Sequence, residues 1–205
     1  MKRMIKDAII LLLITILAGG ILGFTYEITK DKIAEKKVEA KNEACKQVFK
    51  DAISFEKIEE ISSEEATAIV SESGYTQVTI DEVLTAKDAN GTDLGYVISI
   101  TDHEAYNGDI QFYMGIKQDG TLNGISILSI SETAGLGMNA EDVLVPQFRD
   151  KKVEKFEYTK TKATADDQID VISGATITSN AFVNGVNAGL DYFYQSLENG
   201  GGKNE

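Results

Sequence analysis

Residues 76–130 read TQVTIDEVLTAKDANGTDLGYVISITDHEAYNGDIQFYMGIKQDGTLNGISILSI. Four runs in this stretch are rich in β-branched and aromatic residues, which is typical of strands: TQVTI, LGYVISI, IQFYMGI and LNGISILSI. Turn pairs separate the runs: Asn90-Gly91, Asn107-Gly108 and Asp119-Gly120. An Asp-Gly pair between two such runs is a strong hairpin signal. The stretch therefore predicts an antiparallel sheet.

Helices are predicted before and after this sheet in the sequence. ISSEEATAIV, residues 61–70, suits a short helix before the strands. A longer helix is predicted to begin near Thr178, with Thr178 or Ser179 as its N-cap. Its apolar residues recur at steps of three and four: Val183, Val186, Leu190, Phe193 and Leu197. Strands in one block with helices at the ends indicate an α+β fold with a mainly antiparallel sheet and flanking helices.

The N-terminus contains a predicted transmembrane helix. Residues 8–24 read AIILLLITILAGGILGF and carry no charge. With the next two residues the run would span about 28 Å as a helix, close to the thickness of the hydrocarbon layer. Lys2, Arg3 and Lys6 precede it, so the positive-inside rule puts the N-terminus in the cytoplasm and the following domain outside. A cleaved signal peptide is the alternative, but no A-x-A site follows the run.

Charge is distributed unevenly along the 205 residues. Residues 1–50 hold 10 Lys/Arg and 6 Asp/Glu, whereas residues 51–205 hold 10 and 27. The negative charge of residues 51–205 repels phosphate backbones, so nucleic acid is not an expected partner. The simplest role of the charge is to keep the domain soluble. The single cysteine, Cys45, and single histidine, His103, allow neither an intrachain disulfide nor a zinc-type cluster. Neither residue is assigned a role.

The segment 170–179, DVISGATITS, carries the clearest chemical signal. It is a turn of small and polar residues that opens into the last helix. The start of a helix presents free N–H groups and the positive end of its dipole, so it favours phosphate. A hydroxyl-rich N-cap without any ligand is the alternative. The residues alone do not choose among the hydroxyls of Ser173, Thr176, Thr178 and Ser179.

Asp-x-x-Ser-Gly-Ala-Thr resembles the flavinylation motif of the FMN-binding domain family. That family includes the G subunit of Rnf-type electron transport complexes and the C subunit of the sodium-pumping NADH:quinone reductase. The resemblance implies that Thr176 is esterified to the phosphate of FMN, with Ser173, Gly174 and Ala175 around it. It also implies a separate flavin transferase, for which Asp170 is a predicted recognition residue. Capping of the turn is the alternative role for Asp170 and Ser173.

A second motif, Glu132-Thr-Ala-Gly-Leu-Gly137, resembles the Glu-Thr-Pro-Gly-Leu-Gly loop of the same family. We expect Glu132, Thr133, Gly135 and Leu136 to form one wall of the flavin site. Alanine replaces the family's usual proline in this loop, which should loosen the loop without removing these groups. Further points of resemblance extend over about residues 95–190: Tyr106-Asn-Gly-Asp-Ile110 and Gln147-Phe148.

The residue patterns predict a division into four parts: 1–26, a cytoplasmic start and membrane anchor; 27–74, a helical stalk and connecting segment; 75–197, the domain that the resemblance implies is FMN-binding; and 198–205, a disordered tail. The resemblance implies an electron-carrying subunit of an ion-translocating ferredoxin:NAD-type complex in the cell membrane. Other subunits of the complex and membrane lipid would be its partners. No independent catalytic site and no metal site are expected. Alternatives are the C-type subunit of the sodium-pumping reductase, another extracytoplasmic flavin reductase, or a non-redox acidic surface-binding module.

Overall fold

The computed structural model describes residues 2–198. The chain divides into two compact units, Met1–Lys41 and Asn42–Glu205. Apart from Glu198, the predicted disordered tail lies outside the described residues. The boundary between these units, at 41/42, is not one of the predicted domain boundaries. The predicted boundaries at 26/27 and 74/75 stay predictions.

Helix α1, Lys2–Val48, contains the predicted apolar segment. Among the described residues it is the one helix long and apolar enough to cross a membrane. Its large apolar side chains are exposed within the first unit, Leu11 to 64% and Leu22 to 72%. An exposed apolar surface of this size is typical of a segment that contacts a membrane or another protein. An apolar N-terminal helix is therefore confirmed as part of the fold.

A five-stranded antiparallel sheet forms the centre of the second unit in the described part of the chain, with strands in the order β1-β2-β3-β4-β5. Its strands are β1 Ser54–Lys57, β2 Val78–Lys87, β3 Asp93–Asp102, β4 Ile110–Lys117 and β5 Leu122–Ile130. The four predicted runs correspond to β2–β5, so the predicted meander is confirmed. Strand β1 was not predicted, and it pairs with the edge of β2.

Helices and short elements surround this sheet. They are α2 Ser63–Glu72, α3 Ala140–Val143 and α4 Thr176–Tyr192, with single 3-10 turns at Gly137–Asn139 and Val145–Phe148 and a π-helical turn at Phe193–Leu197. Two three-residue strands, β6 Glu157–Thr159 and β7 Gln168–Asp170, pair in parallel. The predicted α+β class is confirmed, and this short parallel pair is its departure from the antiparallel pattern.

The main core lies between the sheet and α4. All five residues of the predicted helical stripe are buried there, with exposures of at most 2%. Aromatic rings fill the space between the helix and the sheet: Phe182 of α4 stacks on Phe112 of β4 with ring centroids 4.9 Å apart. Phe148 meets Phe156 edge-on at the same distance, 4.9 Å. Each aromatic ring of this kind removes a large apolar area from water when it is buried.

The opposite face of the sheet is covered within the second unit by the last turns of α1. Cys45, Val48 and Phe49 pack against Val97 and Tyr113 in a second, smaller core. Polar contacts fix this end of the helix at β5: Ser126 donates to the side chain of Gln47 at 2.7 Å, and the Asn123 amide donates to the carbonyl of Val48. Cys45 is buried, consistent with a small apolar filler.

The start of α4 corrects one prediction. Neither Thr178 nor Ser179 is the N-cap; the helix begins at Thr176, and Ala175 is the capping residue without a side-chain hydrogen bond. The Ser179 hydroxyl instead accepts from the backbone N–H of Ile172 at 3.0 Å and donates to the carbonyl of Ala175 at 2.9 Å. The hydroxyl lies one turn inside the helix and fixes the preceding turn, which local propensity does not foresee.

Candidate functional site

A groove of about 490 Å³ opens beside the N-terminus of α4. Three segments distant in sequence form its walls: the loop after β5, the turn before α4, and the connection between β3 and β4. Its lining residues are Tyr106, Glu132, Thr133, Leu136, Gly137, Gly174, Ala175, Thr176, Ile177 and Thr178. The structure therefore brings the two sequence motifs together at one site, although more than 30 residues separate them in the chain.

The turn that enters α4 has a defined backbone. The Ala175 N–H donates to the carbonyl of Ile172 at 3.0 Å, and the Ser179 N–H donates to Ala175 in the first i→i−4 bond of the helix. Gly174 has φ +80°, a left-handed conformation that glycine adopts without steric cost. The N–H groups in the first turn of a helix have no carbonyl partner within the helix. The free N–H groups and the helix dipole therefore make this end of α4 favourable for an anion.

The four candidate hydroxyls differ in accessibility. Ser173 is exposed but does not line the groove, and Ser179 is fully buried with its hydroxyl engaged. Thr178 lines the groove but is only 1% exposed. Thr176 is half-buried and lines the groove, and no hydrogen bond engages its side chain within residues 2–198. Thr176 thus combines a free hydroxyl, an open side and a position at the helix start.

The loop after β5 forms the facing wall. Residues 133–136 form a turn, in which the carbonyl of Thr133 accepts from the N–H of Leu136 at 3.1 Å. Gly135 supplies the positive φ of +76° that this turn needs, but it does not line the groove. Leu136 lies against Gly174, because a methyl group placed on Gly174 would stand 3.2 Å from Leu136 Cδ2. Glycine at 174 therefore leaves room for the leucine side chain and keeps the groove open.

Glu132 links two walls of the groove. The residue is 8% exposed, and its Oε1 accepts from the backbone N–H of Asn107 at 3.1 Å. The amide of Asn107 donates to the carbonyl of Ser131 at 2.7 Å. Gly137 packs on Glu132 so closely that an added methyl group would stand 2.7 Å from Glu132 Cβ. Glu132 therefore has a positioning contact as well as a place in the lining.

Tyr106 was missed as a site residue. The sequence placed it within the general sheet region of the family resemblance, but the structure puts it in the groove lining with 68% of the residue exposed. The signal that could have identified it is an aromatic residue beside an Asn-Gly turn between two predicted strands. Such a position is a loop tip, where a large apolar side chain requires an explanation.

Asp170 lies outside the lining and has a structural contact of its own. Its carboxylate accepts from the N–H of Ala163 at 2.5 Å. Gln147 bonds both backbone groups of Asp170, accepting from its N–H at 2.7 Å and donating to its carbonyl at 3.1 Å. The bond to Ala163 holds the loop between β6 and β7 rather than the turn before α4, so capping of that turn by Asp170 stays a prediction. Recognition of Asp170 by a transferase also stays a prediction, and its half-buried side chain is in part accessible.

The residues of the groove fit FMN. A volume of about 490 Å³ falls in the range of small-molecule sites. Its apolar groups, including Leu136, Ile177 and Tyr106, suit a flat aromatic ring, while the start of α4 suits a phosphate. A buried carboxylate, Glu132, stands among them as a hydrogen-bond acceptor. This combination of an apolar slot with a helix N-terminus suits a ligand that has a flat ring and a phosphate, as flavin mononucleotide does.

Comparison with known proteins agrees with this class. Residues 105–191 match the FMN-binding domain, and residues 1–48 match the RnfG N-terminal region. The first match contains both groove motifs and Tyr106. The chain is thus a flavoprotein with an FMN-binding domain.

Two relatives match over most of their length. The G subunit of the Na(+)-translocating ferredoxin:NAD(+) oxidoreductase complex of Acetobacterium woodii is 32% identical over 200 residues, covering 96% of this chain and 94% of that protein. The G subunit of the proton-translocating ferredoxin:NAD(+) oxidoreductase complex of Clostridium ljungdahlii is 30% identical, covering 85% and 83%. The chain belongs to the RnfG family of ion-translocating oxidoreductase complexes, so the predicted family is confirmed.

A solved structure is also similar. The C subunit of the Na(+)-translocating NADH-quinone reductase of Parabacteroides distasonis shares 20% identity with a TM-score of 0.48, over 70% of this chain and 77% of that one.

Proposed function

We propose that this chain is an electron-carrying subunit of a membrane-bound, ion-translocating oxidoreductase complex, and that its FMN is bound through a phosphoester to Thr176. The observation that carries the proposal is the position of the Thr176 hydroxyl. It is half-buried, it lines the groove, and it stands at the first residue of α4. Of the four hydroxyls in the motif, it alone combines these properties.

The attachment chemistry suits the start of a helix. A phosphodiester keeps one negative charge, and an anion at an exposed helix N-terminus is stabilised by about 0.3–1 kcal/mol. We propose that a separate flavin transferase makes the bond from FAD. The Thr176 oxygen bonds to the FMN phosphorus, the phosphorus–oxygen bond to AMP breaks, and the hydroxyl proton is released. Asp170 and Ser173 are the proposed recognition residues beside it.

The remaining groove residues would hold the ring. Leu136 and Ile177 offer apolar contact, and Glu132 and Thr133 offer polar groups at the facing wall. When bound, FMN supplies one- and two-electron transfer, and the protein supplies position and environment. Gly174 keeps the approach open, since a side chain there would meet Leu136. Gly135 supports the wall from behind through its turn.

The N-terminal helix supports a place at a membrane. We propose that α1 is a single-pass anchor with its N-terminus in the cytoplasm and the FMN-binding domain outside. What supports this is its exposed apolar surface and the basic residues before it. The names of the relatives specify ferredoxin and NAD(+) as substrates, and one specifies sodium while the other specifies protons. The redox partners therefore come to this chain as a proposal, and the coupling ion is left open.

The test is to co-express the full chain with a flavin transferase and to view a denaturing gel under ultraviolet light. Fluorescence should follow the protein band in the wild type and in Thr178→Val, and it should vanish in Thr176→Val. Thr176→Ser keeps a hydroxyl and should retain at least part of the label. Mass spectrometry of the peptide with residue 176 should show FMN less one water. A label that persists in Thr176→Val would move the attachment, and a wild type without label would reject the flavin-carrier function.

A further inference from the structure

The connection between β3 and β4, residues 103–109, is held at its start by two hydrogen bonds. The carboxylate of Asp102 accepts from the N–H of Glu104 at 2.8 Å. The carboxylate of Glu104 in turn accepts from the side-chain amide of Asn184 at 2.9 Å. Asn184 belongs to α4, the helix that begins at the groove. The start of the connection is therefore fixed to the same helix that carries Thr176.

The far end of the connection is fixed as well. The ring of His103 lies between Thr79 Oγ1 at 3.0 Å and the carboxylate of Asp109 at 2.9 Å. Asn107 bonds the facing wall of the groove through Glu132 and Ser131, at 3.1 and 2.7 Å. These contacts give His103 a structural role that the sequence did not assign. Together these contacts tether residues 103–109 at both ends and in the middle.

Tyr106 stands in the middle of this restrained loop and is 68% exposed. Among the described residues, it is the one aromatic side chain in the groove lining. Chains usually fold an aromatic ring of this size inward, because its burial removes much apolar area from water. Here the restraints on both sides present the ring to the groove instead. An exposed aromatic on a fixed loop suits a ligand that will cover it.

We propose that Tyr106 is a positioning residue that stacks its ring on the isoalloxazine of the FMN carried by this groove. The proposal rests on the proposed function and names one contact within it. Aromatic rings prefer offset stacking, and the restrained loop sets the ring in place before the ligand arrives. Leu136 and Ile177 offer the apolar contacts elsewhere in the lining. Tyr106 is not expected to be needed for the covalent bond, since it supplies no group to Thr176.

Flavin fluorescence tests this contact directly. A stacked phenol quenches flavin fluorescence by donating an electron to the excited ring, which then returns it. The full chain, labelled by co-expression with the transferase and purified in detergent, is compared with Tyr106→Leu, Tyr106→Phe and Tyr106→Trp by time-resolved fluorescence. Tyr158→Leu is the matched control, because Tyr158 is an exposed tyrosine that does not line the groove.

The expected lifetime of the flavin rises severalfold in Tyr106→Leu and also rises in Tyr106→Phe, because a phenyl ring is a poorer electron donor than a phenol. It falls to or below the wild-type value in Tyr106→Trp, since indole stacks and donates well. A loop that is merely damaged would not be rescued by tryptophan. Tyr158→Leu should leave the lifetime unchanged.

An unchanged lifetime in fully labelled Tyr106→Leu overturns the stacking contact. Absence of label in the wild type would reject the proposed function itself, so the two failures are distinguishable. If the leucine variant fails to fold, the phenylalanine and tryptophan variants still report opposite changes in lifetime.

Discussion

Replacing Ser179 by alanine removes the side chain that fixes the turn before α4. The Ser179 hydroxyl is fully buried and makes two hydrogen bonds, one with the N–H of Ile172 and one with the carbonyl of Ala175. The carbonyl of Ala175 keeps a partner in the variant, because the backbone N–H of residue 179 also donates to it at 3.0 Å. The Ile172 N–H does not, and Ile172 is only 5% exposed.

The size of the effect follows from that one orphaned donor. A buried N–H without an acceptor costs about 1–3 kcal/mol. Alanine is a better helix former than serine, by up to about 0.5 kcal/mol near a helix interior. We therefore expect Ser179→Ala to lower the free energy of unfolding by about 0.5–2.5 kcal/mol after this offset. We also expect flavin attachment to be slower, because the turn that presents Thr176 is less fixed.

The assay is urea unfolding of the full chain in detergent, together with hydrogen exchange of the peptide that contains Ile172. The exchange of that amide becomes about tenfold faster for each 1.4 kcal/mol by which the free energy of local opening falls. Ser173→Ala is the matched control, since Ser173 lies in the same turn but its side chain is exposed. Surface changes of this kind stay within about 0.5 kcal/mol.

Equal stability and equal exchange in Ser179→Ala and Ser173→Ala would refute the role given to the buried hydroxyl. A second refuting result would be loss of the flavin with no change in exchange. That result would make Ser179 a direct partner of the attachment reaction rather than a support for the turn.

Three further changes test other contacts. Burial raises the pKa of Asp102 to about 7, so the folded chain keeps a proton on this carboxyl that the unfolded chain releases from about pH 4 upward. The free energy of unfolding should therefore fall by up to about 1.4 kcal/mol per pH unit between pH 4 and 7. Asp102→Asn should remove this slope, as measured by urea titrations at several pH values. Asn187→Leu should lower the free energy of unfolding by about 2–5 kcal/mol, because the amide bonds both backbone groups of Phe156, at 2.7 and 2.9 Å. Gly137→Ala should displace Glu132 and change the absorption spectrum of the bound flavin, measured on labelled protein.

Matched variants separate these effects from general damage. Asn184→Ala removes an amide with an exposed partner and should cost far less than Asn187→Leu. A stability that still falls between pH 4 and 7 in Asp102→Asn would assign the titration to another group. A normal spectrum in Gly137→Ala would show that Glu132 can move aside without affecting the flavin.

Long periodic patterns made most of the fold predictable. The stripe on α4 and the meander β2–β5 each repeat over many residues, so the signal accumulates. Short elements give no such signal. Strand β1 has four residues with the sequence SFEK, and it exists because the free edge of β2 offers hydrogen-bond partners. Strands β6 and β7 have three residues each and depend on one another across the chain.

The candidate site was predictable only in its parts. Two motifs named Thr176 and Glu132 as site residues, since each motif is a short local string. Nothing local to either motif says that the two face one groove. That proximity comes from the meander, which returns the end of β5 to the level where α4 begins, and from Leu136 lying against Gly174. The role of Ser179 was misread for the same reason, because its partner, Ile172, lies outside the helix.

The restraints behind the groove show why the supporting contacts are harder to predict than the lining. Glu132 and Asn107 are 25 residues apart, and their hydrogen bond joins a side chain to a backbone N–H. A backbone donor has no residue type, so no pattern of amino acids at position 107 encodes the bond. The carboxylate is specified by sequence, but its partner is specified only by the fold. The contact between Glu132 and Asn107 therefore depends on the register of β4 with β5, because Asn107 precedes β4 and Glu132 follows β5.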